Sequence, residues 1–211
     1  MTSILKVDTI QDADGNNIIN ESGNTITIGA SGDTISIPSG ATIANSGTAT
    51  GFGISNAQSF YLSSSKTIAS GTQTVIDTTW TALATTKVGI IGSASNVTVS
   101  SGIFSFATTG IYLVETTMNF YAQSSTAARY AMGNIDVTAN NSSYSNAAQA
   151  TSQISNTSGS NDNTAVYPSA MVDVDDTSNV KVRLSAQGAD EIKTETQNNA
   201  FIIRFIRLGD T

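Results

Sequence analysis

Residues 102–121 read GIFSFATTGIYLVETTMNFY and combine large apolar side chains with a turn. An apolar run ends at residues 108–110, Thr-Thr-Gly, and apolar residues then continue at about every second position. This pattern predicts two antiparallel strands that pair as a hairpin at the centre of a β-sandwich. Phe104, Tyr112 and Phe120 would supply its core, since each ring brings about 150 Å² or more of apolar surface.

From residue 57 onward, short segments with the composition of β-strands recur at the spacing of a sandwich. They cover residues 58–62, 73–76, 79–81, 87–91, 97–99, 103–106, 111–121, 129–137, 166–172, 180–185 and 201–208. Ser, Thr and Asn are abundant elsewhere, and they disfavour long helices because they compete for backbone hydrogen bonds. We therefore predict an all-β chain that ends in a two-sheet jelly-roll β-sandwich.

Three segments of this region carry a family resemblance. They are the Phe-rich strand and Gly-x-Tyr turn of 104–112, the Val-x-Val strand of 180–184 and the Phe-rich strand of 199–208. In this order they resemble the C1q/tumour-necrosis-factor jelly roll, over about residues 57–211. The resemblance implies a homotrimer, with strand 201–208 near its centre and buried on one face between protomers.

The first residues carry a second resemblance. Residues 4–16, ILKVDTIQDADGN, are similar to the N-termini of fibre-type virion proteins of tailed bacteriophages of marine bacteria, including cyanophages. The resemblance implies a virion-attachment segment over residues 1–22. Its apolar residues, the predicted attachment positions, are Ile4, Leu5, Val7 and Ile10.

Residues 23–56 contain a short repeat with isoleucines at alternating positions and Gly/Ser turns between the units. The isoleucines are Ile26, Ile28, Ile35, Ile37 and Ile43. One chain cannot cover so thin an apolar layer, whereas three chains wound about one axis can bury it. The pattern predicts a short, repetitive, trimeric β-shaft followed by a joint, and the alternative is a flexible low-complexity linker.

Composition excludes several functions. The chain has no cysteine or histidine, and therefore lacks thiolate ligands, disulfides and the commonest metal ligand and general base. Its net charge of −7, with nine scattered basic residues, argues against binding nucleic acid or an anionic membrane. No apolar run is long enough for membrane insertion and no signal peptide is evident, so synthesis in a host cytoplasm is expected. We predict no enzyme activity, no catalytic or metal site and no cofactor.

A polar segment between residues 138 and 169 contains the candidate recognition residues Tyr144, Asn146 and Tyr167. Aromatic faces stack on sugar rings and amides bond to hydroxyls, so this segment is predicted to be an exposed receptor loop. The same segment can equally be interpreted as a surface insertion that tolerates sequence changes.

The acidic residues have two interpretations. Asp173, Asp175 and Asp176 form the densest acidic run, which either holds calcium or is a solvated turn. Asp190-Glu191 and Glu195 are predicted to lie in charged surface turns.

Together these features predict a virion protein, exposed on the surface of a bacteriophage particle as a homotrimeric tail fibre. Its N-terminus would bind another virion protein such as a tail adaptor, the baseplate or the capsid. Its jelly-roll domain would contribute to binding a host cell-surface glycan or envelope protein. The alternatives are a capsid decoration protein or head fibre without a receptor role, and a polysaccharide-degrading tail enzyme, which needs a pair of carboxylates.

Overall fold

The computed structural model describes residues 9–11, 13–14, 17–22, 25–28, 31–41, 54–83, 89–122, 129–154 and 162–211. The chain divides into two compact units, Met1–Thr50 and Gly51–Thr211. We call them the N-terminal unit and the head. In the described ranges, no helix has the length and apolar character needed to cross a membrane.

The N-terminal unit contains a small antiparallel sheet of β1 (Thr9–Gln11), β2 (Asn17–Ser22) and β3 (Thr25–Ile28), in that order. The predicted limit between attachment segment and shaft, after residue 22, therefore falls between two paired strands. The strand expected around Ile35 and Ile37 was wrong, because no strand forms in the described stretch 31–41. Pro38 lacks a backbone donor there, and no described segment pairs with this stretch.

The head begins with a series of mostly short strands that ends in one long strand. They are β4 (Asn56–Leu62), β5 (Thr67–Ile68), β6 (Thr74–Val75), β7 (Trp80–Ala82), β8 (Ile90–Ile91), β9 (Val97–Ser100), β10 (Ile103–Phe106) and β11 (Gly110–Ala122). The remaining strands are β12 (Tyr130–Thr138), β13 (Ser145–Gln153), β14 (Asn163–Val166), β15 (Ser169–Val174), β16 (Lys181–Gly188), β17 (Ile192–Thr194) and β18 (Ile202–Gly209). A 3₁₀ turn, Gln197–Asn199, precedes β18.

These strands form two sheets packed as a sandwich. The smaller sheet has the order β13-β12-β16-β10-β9, with β6 paired to β16. The larger sheet has the order β5-β17-β11-β18-β4-β7, in which β14 and β15 also pair with β11, and β8 pairs with β4. The prediction of an all-β sandwich is confirmed.

The predicted hairpin of β10 and β11 was wrong, because the two strands lie in different sheets. β10 pairs with β9 and β16, whereas β11 pairs with β18 and other strands of the larger sheet. Residues 107–109 carry the chain across the sandwich, and the Phe106 and Tyr112 rings meet with centroids 4.6 Å apart. Apolar alternation indicates which face of a strand is buried and does not identify its partner.

The predicted core aromatics Phe104, Tyr112 and Phe120 are fully buried. Phe104 of the smaller sheet inserts among rings of the larger sheet, with its centroid 5.4 Å from Phe60 and 5.1 Å from Phe205. Such pairs add about 0.5 to 1.5 kcal/mol each beyond the area they bury. This aromatic cluster therefore holds the two sheets together.

The long strand β11 buries every second residue, starting at Gly110. Ile111 and Leu113 therefore lie on the outer face of the larger sheet, where they are half-buried. Strand β18 behaves in the same way, with Ile203 and Phe205 buried and Ile206 on the outer face. The larger sheet consequently carries apolar residues on both of its faces.

The described part of the predicted loop between residues 138 and 169 contains two strands, which corrects that prediction. Strand β13 adds nine residues to the edge of the smaller sheet beside β12, and β14 pairs with β11. The strand predicted over 166–172 is divided, since β14 ends at Val166 and β15 begins at Ser169, after Pro168.

The two ends of the head are distinguished by where the chain enters. Strand β4 starts at Asn56, which pairs with Arg207 near the end of β18, and we call this the entry end. The opposite, far end contains the close of β11, where Ala122 pairs with Ile192. Residues that follow Tyr61 along β4 and Thr117 along β11 lie toward the far end.

Candidate assembly and recognition surfaces

The predicted attachment residues fall mostly outside the described residues. Ile4, Leu5 and Val7 belong to the segment that the structure does not describe. Ile10 lies in β1 opposite Ile19 of β2, with 39% of its surface exposed. Its role in attachment stays a prediction.

The isoleucines of the predicted shaft are uncovered in a single chain. Ile26 and Ile28 on β3 are 67% and 55% exposed, and Ile35 and Ile37 are 60% and 47% exposed. Ile43 lies outside the described residues. Four apolar side chains of one short segment are thus left in contact with solvent.

The outer face of the larger sheet carries a continuous row of apolar residues across five neighbouring strands. The row runs from Ile91 through Ala57, Ile206 and Leu113 to Met171, each directly opposite the next. Ile91 is 50% and Met171 73% exposed. We call these five residues the outer apolar row.

A polar row follows on the same face, one step closer to the far end. Ser59, Arg204, Glu115 and Ser169 lie opposite one another across β4, β18, β11 and β15. Arg204 and Glu115 form a directly opposed pair of unlike charge, an arrangement that favours pairing between strands. The outer face therefore offers apolar contact area beside a defined charge pattern.

A cluster of hydrogen-bonded polar residues occupies the outer face of the smaller sheet. Asp136, 2% exposed, accepts a hydrogen bond of 2.7 Å from the hydroxyl of Ser185 and pairs with Arg183 at 3.5 Å. The amide of Gln73 also donates to the Ser185 hydroxyl, at 2.7 Å. These side chains provide one another's hydrogen-bond partners, so the buried carboxylate of Asp136 is paired.

Tyr144 and Asn146, two of the predicted recognition residues, border this polar cluster at the entry end. The guanidinium of Arg183 lies 4.0 Å from the centroid of the Tyr144 ring, and burial raises the pKa of that tyrosine. Asn146 lies in β13 and donates to Asn134 Oδ1 at 2.8 Å. Both side chains are therefore engaged within the protein. A cavity of about 450 Å³, lined in part by Asn140 and Asn146, lies beside them.

The third predicted recognition residue lies elsewhere. Tyr167 is in the connection between β14 and β15, both of which pair with β11 in the larger sheet, and it is 66% exposed. The structure thus places Tyr144 and Tyr167 on parts of the chain that belong to different sheets, and they do not share one loop.

The acidic run before β16 covers the end of β15, which includes Asp173, and the turn that follows it. Asp176 accepts 2.7 Å hydrogen bonds from the Ser178 backbone and from the Asn179 side chain, and the first of these is the main reason its pKa is lowered. Asp173 and Asp175 are exposed. Among the residues that the structure describes, no three acidic side chains come together as a metal site would require.

A cleft at the far end brings together polar groups from distant parts of the chain. It has a volume of about 320 Å³. Its lining includes Ser65, Tyr121, Asn163, Glu195, Thr196 and Gln197. We call it the far-end cleft.

Three contacts assemble the far-end cleft. Tyr121 on β11 lies directly opposite Asn163 on β14, so the ring and the amide are neighbours. The backbone of Glu195 donates to the Asn119 carbonyl at 2.8 Å, which holds the residue after β17 against β11. Thr194 Oγ1 accepts a 2.8 Å hydrogen bond from the Lys66 backbone, which brings the Ser65 segment alongside.

The carboxylate of Glu195 is held in a fixed orientation. Its Oε1 accepts 2.8 Å hydrogen bonds from the backbone of both Thr196 and Gln197. Glu195 lies in the connection between β17 and the 3₁₀ turn, where it is half-buried in the cleft. Among the described lining residues Glu195 is the only carboxylate, so they do not supply the pair that glycoside hydrolysis needs.

Sequence reasoning missed this cleft. Tyr121 reads as the end of a core strand, and Asn163 lies in a segment without apolar periodicity. The one available signal was the polar run that starts at Glu195 and continues through the three amide residues of 197–199 before β18.

Solved structures share the fold of the head. One is the Eiger TNF from S. frugiperda, with a TM-score of 0.54, 15% identity, and coverage of 74% of this chain and 93% of that chain. The head has a tumour-necrosis-factor-like jelly-roll fold. The structure of murine APRIL is also similar, with a TM-score of 0.51, 11% identity, and coverage of 72% of this chain and 98% of that chain. The fold predicted for this jelly roll is therefore confirmed.

No protein-family model matches the chain, and no curated protein matches it in sequence. At 11% to 15% identity, the structural likeness describes how the jelly roll is folded. What the jelly roll binds is therefore inferred from its own surfaces.

Proposed function

We propose that this protein is a non-enzymatic virion fibre of a tailed bacteriophage. In this proposal it assembles as a homotrimer, attaches to the particle through residues 1–22 and projects the head toward the host surface. The observation that carries it is the apolar surface that a single chain leaves uncovered in both of its units.

The N-terminal unit supports the assembly step. Ile26, Ile28, Ile35 and Ile37 each expose about half of their surface or more. Burying an isoleucine side chain is worth about 1.5 to 3 kcal/mol relative to full exposure. Three chains that bring four such residues each to a common axis gain enough to offset part of the cost of association.

The head supports the same assembly. The outer apolar row spans five neighbouring strands and is accompanied by the Arg204 and Glu115 pair. A face that combines apolar contacts with fixed charges suits a specific contact with another copy of the chain, since the charges set the register. The half-buried residues Leu113 and Ile206 would then become core residues of the trimer.

Trimerisation would strengthen binding to the host surface. Three heads joined through one N-terminal assembly present three identical binding surfaces close together. Weak individual contacts then act at a high effective concentration, so the fibre holds a surface that a single head would release.

The mass of the full-length protein in solution tests the assembly. Light scattering after gel filtration should give three times the 21.8 kDa of one chain. A single-chain mass at micromolar concentration would remove the trimeric fibre and leave a decoration protein ordered by its capsid contacts.

Electron microscopy of purified particles tests the position. Antibodies raised against the head should label the tail or its adaptor in a small number of copies. Labels spread over the capsid would identify a decoration protein or head fibre instead.

A further inference from the structure

We propose that the far-end cleft binds a single neutral sugar unit of a surface glycan, with Tyr121 beneath the ring and Glu195 bonded to its hydroxyls. This inference rests on the proposed function, because it assigns the host-binding contact of the fibre to one site. The cleft's volume of about 320 Å³ is at the lower end of the range of about 300 to 1,000 Å³ for small-ligand pockets.

The aromatic part of the site comes from Tyr121. The residue is half-buried at the end of β11 and lines the cleft. A tyrosine presents a rigid apolar face with few rotatable bonds, so contact with the C–H face of a sugar costs little conformational entropy. Asn163 lies directly opposite on β14 and adds an amide with both donors and an acceptor beside the ring.

The polar part matches a ligand rich in hydroxyl groups. Each hydroxyl both donates and accepts, so a sugar needs partners of both kinds. Glu195 supplies an acceptor through Oε2, which has no hydrogen-bond partner among the described residues. Gln197, Thr196 and Ser65 add amide and hydroxyl groups around it.

The carboxylate is also positioned before any ligand arrives. Two backbone hydrogen bonds fix Oε1, and the backbone bond to Asn119 fixes the residue itself. A polar group that is already oriented loses little entropy on binding. Two unlike charges flank Tyr121, with Glu195 in the cleft and Lys193 directly opposite on β17, so the site has no net charge and the proposed ligand is neutral.

The location suits a fibre tip. The chain enters the head at the opposite end, at Asn56. Tyr121 lies eight positions after Leu113 of the outer apolar row along β11, a distance of about 26 Å along an extended strand. Tyr121 shares the outer face of β11 with Leu113, and in the proposed trimer it would lie beyond the contacts made by the outer apolar row.

The surface around Tyr144 is a weaker candidate. Arg183 already lies over the Tyr144 ring at 4.0 Å, and Asn146 is bonded to Asn134. That surface is also at the entry end of the head. It serves as the matched comparison in the test.

The test uses the full-length protein and five sugars of known chemistry. Glucose, galactose, mannose and N-acetylglucosamine are the neutral probes, and glucuronic acid is the charged counterpart of glucose. Saturation-transfer NMR detects binding and calorimetric titration measures it. We expect at least one neutral sugar to bind with a dissociation constant on the order of 1 mM per site, and glucuronic acid not to bind.

Two variants and two controls locate the binding. Tyr121→Ala and Glu195→Gln should each weaken binding by about tenfold or more, since each removes one contact to the sugar. Glutamine retains an oxygen for the two backbone hydrogen bonds, so Glu195→Gln keeps the local fold. Tyr167→Ala and Tyr144→Ala should bind like the wild type, and thermal midpoints confirm that all variants fold.

The outcomes separate this inference from the proposed function. Absence of binding to every neutral sugar, or a loss of binding with Tyr144→Ala and not with Tyr121→Ala, overturns the assignment of the cleft. A trimeric mass alongside either result leaves the fibre proposal standing. Sugar binding that depends on Tyr121 in a single-chain protein supports the site and overturns the fibre.

Discussion

Gly110 lies where the chain leaves the smaller sheet and enters the larger one. Its φ of +142° is a conformation that other residues rarely adopt. A Cβ placed there would lie 2.5 Å from the backbone oxygen of Gly209, which cannot move without disturbing β18. Two independent restrictions therefore require glycine at this position.

We predict that Gly110→Ala lowers the free energy of unfolding by about 1 to 3 kcal/mol. Urea denaturation followed by the fluorescence of Trp80, the chain's only tryptophan, measures the change. Gly209→Ala is the control, because a Cβ there meets no atom within 4 Å. Equal midpoints for the two variants would show that the crossing tolerates a side chain.

Tyr112 anchors the same crossing through its hydroxyl. The hydroxyl donates to the Thr108 carbonyl at 2.9 Å and accepts from Asn96 Nδ2 at 3.2 Å. Asn96 Oδ1 in turn accepts from the Thr108 hydroxyl at 2.8 Å. Burial raises the pKa of Tyr112 above its ordinary value of 10.0.

This raised pKa predicts a loss of stability at alkaline pH. In the unfolded chain Tyr112 loses its proton near pH 10.0, whereas in the folded head it keeps the proton to higher pH. Its contribution to stability is therefore complete below pH 10 and is lost as the pH rises through the folded pKa.

Tyr112→Phe should remove part of this alkaline decline while lowering stability at pH 7, because Asn96 loses a partner. Urea midpoints for the variant and the wild type between pH 7 and 11 measure both effects. An unchanged alkaline slope would assign the decline to other groups.

At the scale of elements, the sequence predicts strands better than it predicts their partners. Phe104 and Phe120 both lie in strands and in the core, as their spacing indicates. The assignment of β10 and β11 to one hairpin was wrong. A connection of three residues can join strands of two different sheets as well as the two strands of a hairpin. The partner depends on contacts with β16 and β18, which come about 80 or more residues later in the chain.

Strand β13 could not be recognised from its sequence for a related reason. It reads SNAAQATSQ, and only Ala148 and Ala150 pack against the core. An edge strand with one solvated face needs few apolar side chains, so it leaves little periodic signal. The small, polar residues that suggested a loop are compatible with this exposed edge.

The outer apolar row gives a prediction about assembly. Leu113→Asp should weaken association of the proposed trimer by about 100-fold or more, because each copy would have to bury a carboxylate. The head should stay folded, since Leu113 is on the outer face of β11. Light scattering reports the mass, and circular dichroism reports the fold.

The control for this variant is Thr98→Asp, which places the same charge on an exposed position of β9 in the smaller sheet. It should leave the mass unchanged. A trimeric mass for Leu113→Asp would place the contact between copies on another face.

At the scale of the whole molecule, the apolar residues of the N-terminal unit distinguish a shaft from a linker. We predict that replacing Ile26, Ile28, Ile35 and Ile37 together by Ser makes the first 50 residues sensitive to proteinase K, since their packing between chains is lost. Thr34→Ser with Ser36→Ala is the matched control and should resist digestion like the wild type. Equal and rapid digestion of all three proteins would support the linker.

The proposed sugar site depends on the whole fold, and this explains why the cleft escaped prediction. Tyr121, Asn163 and Glu195 belong to three segments that come together because β14 and the end of β17 both meet the close of β11. No local sequence pattern indicates that these three segments lie close together in the fold. The isoleucine repeat was visible in the sequence because its spacing is short.

The position of Asn56 has a mechanical consequence. In the proposed fibre, a particle pulling on the chain at Asn56, against a host surface held at the far end, would stretch the head along β4. The bonds between β4 and β18, from Asn56 opposite Arg207 to Tyr61 opposite Ile202, lie across that direction. They are loaded in shear and share the force, so the head resists tension until several of them break at once.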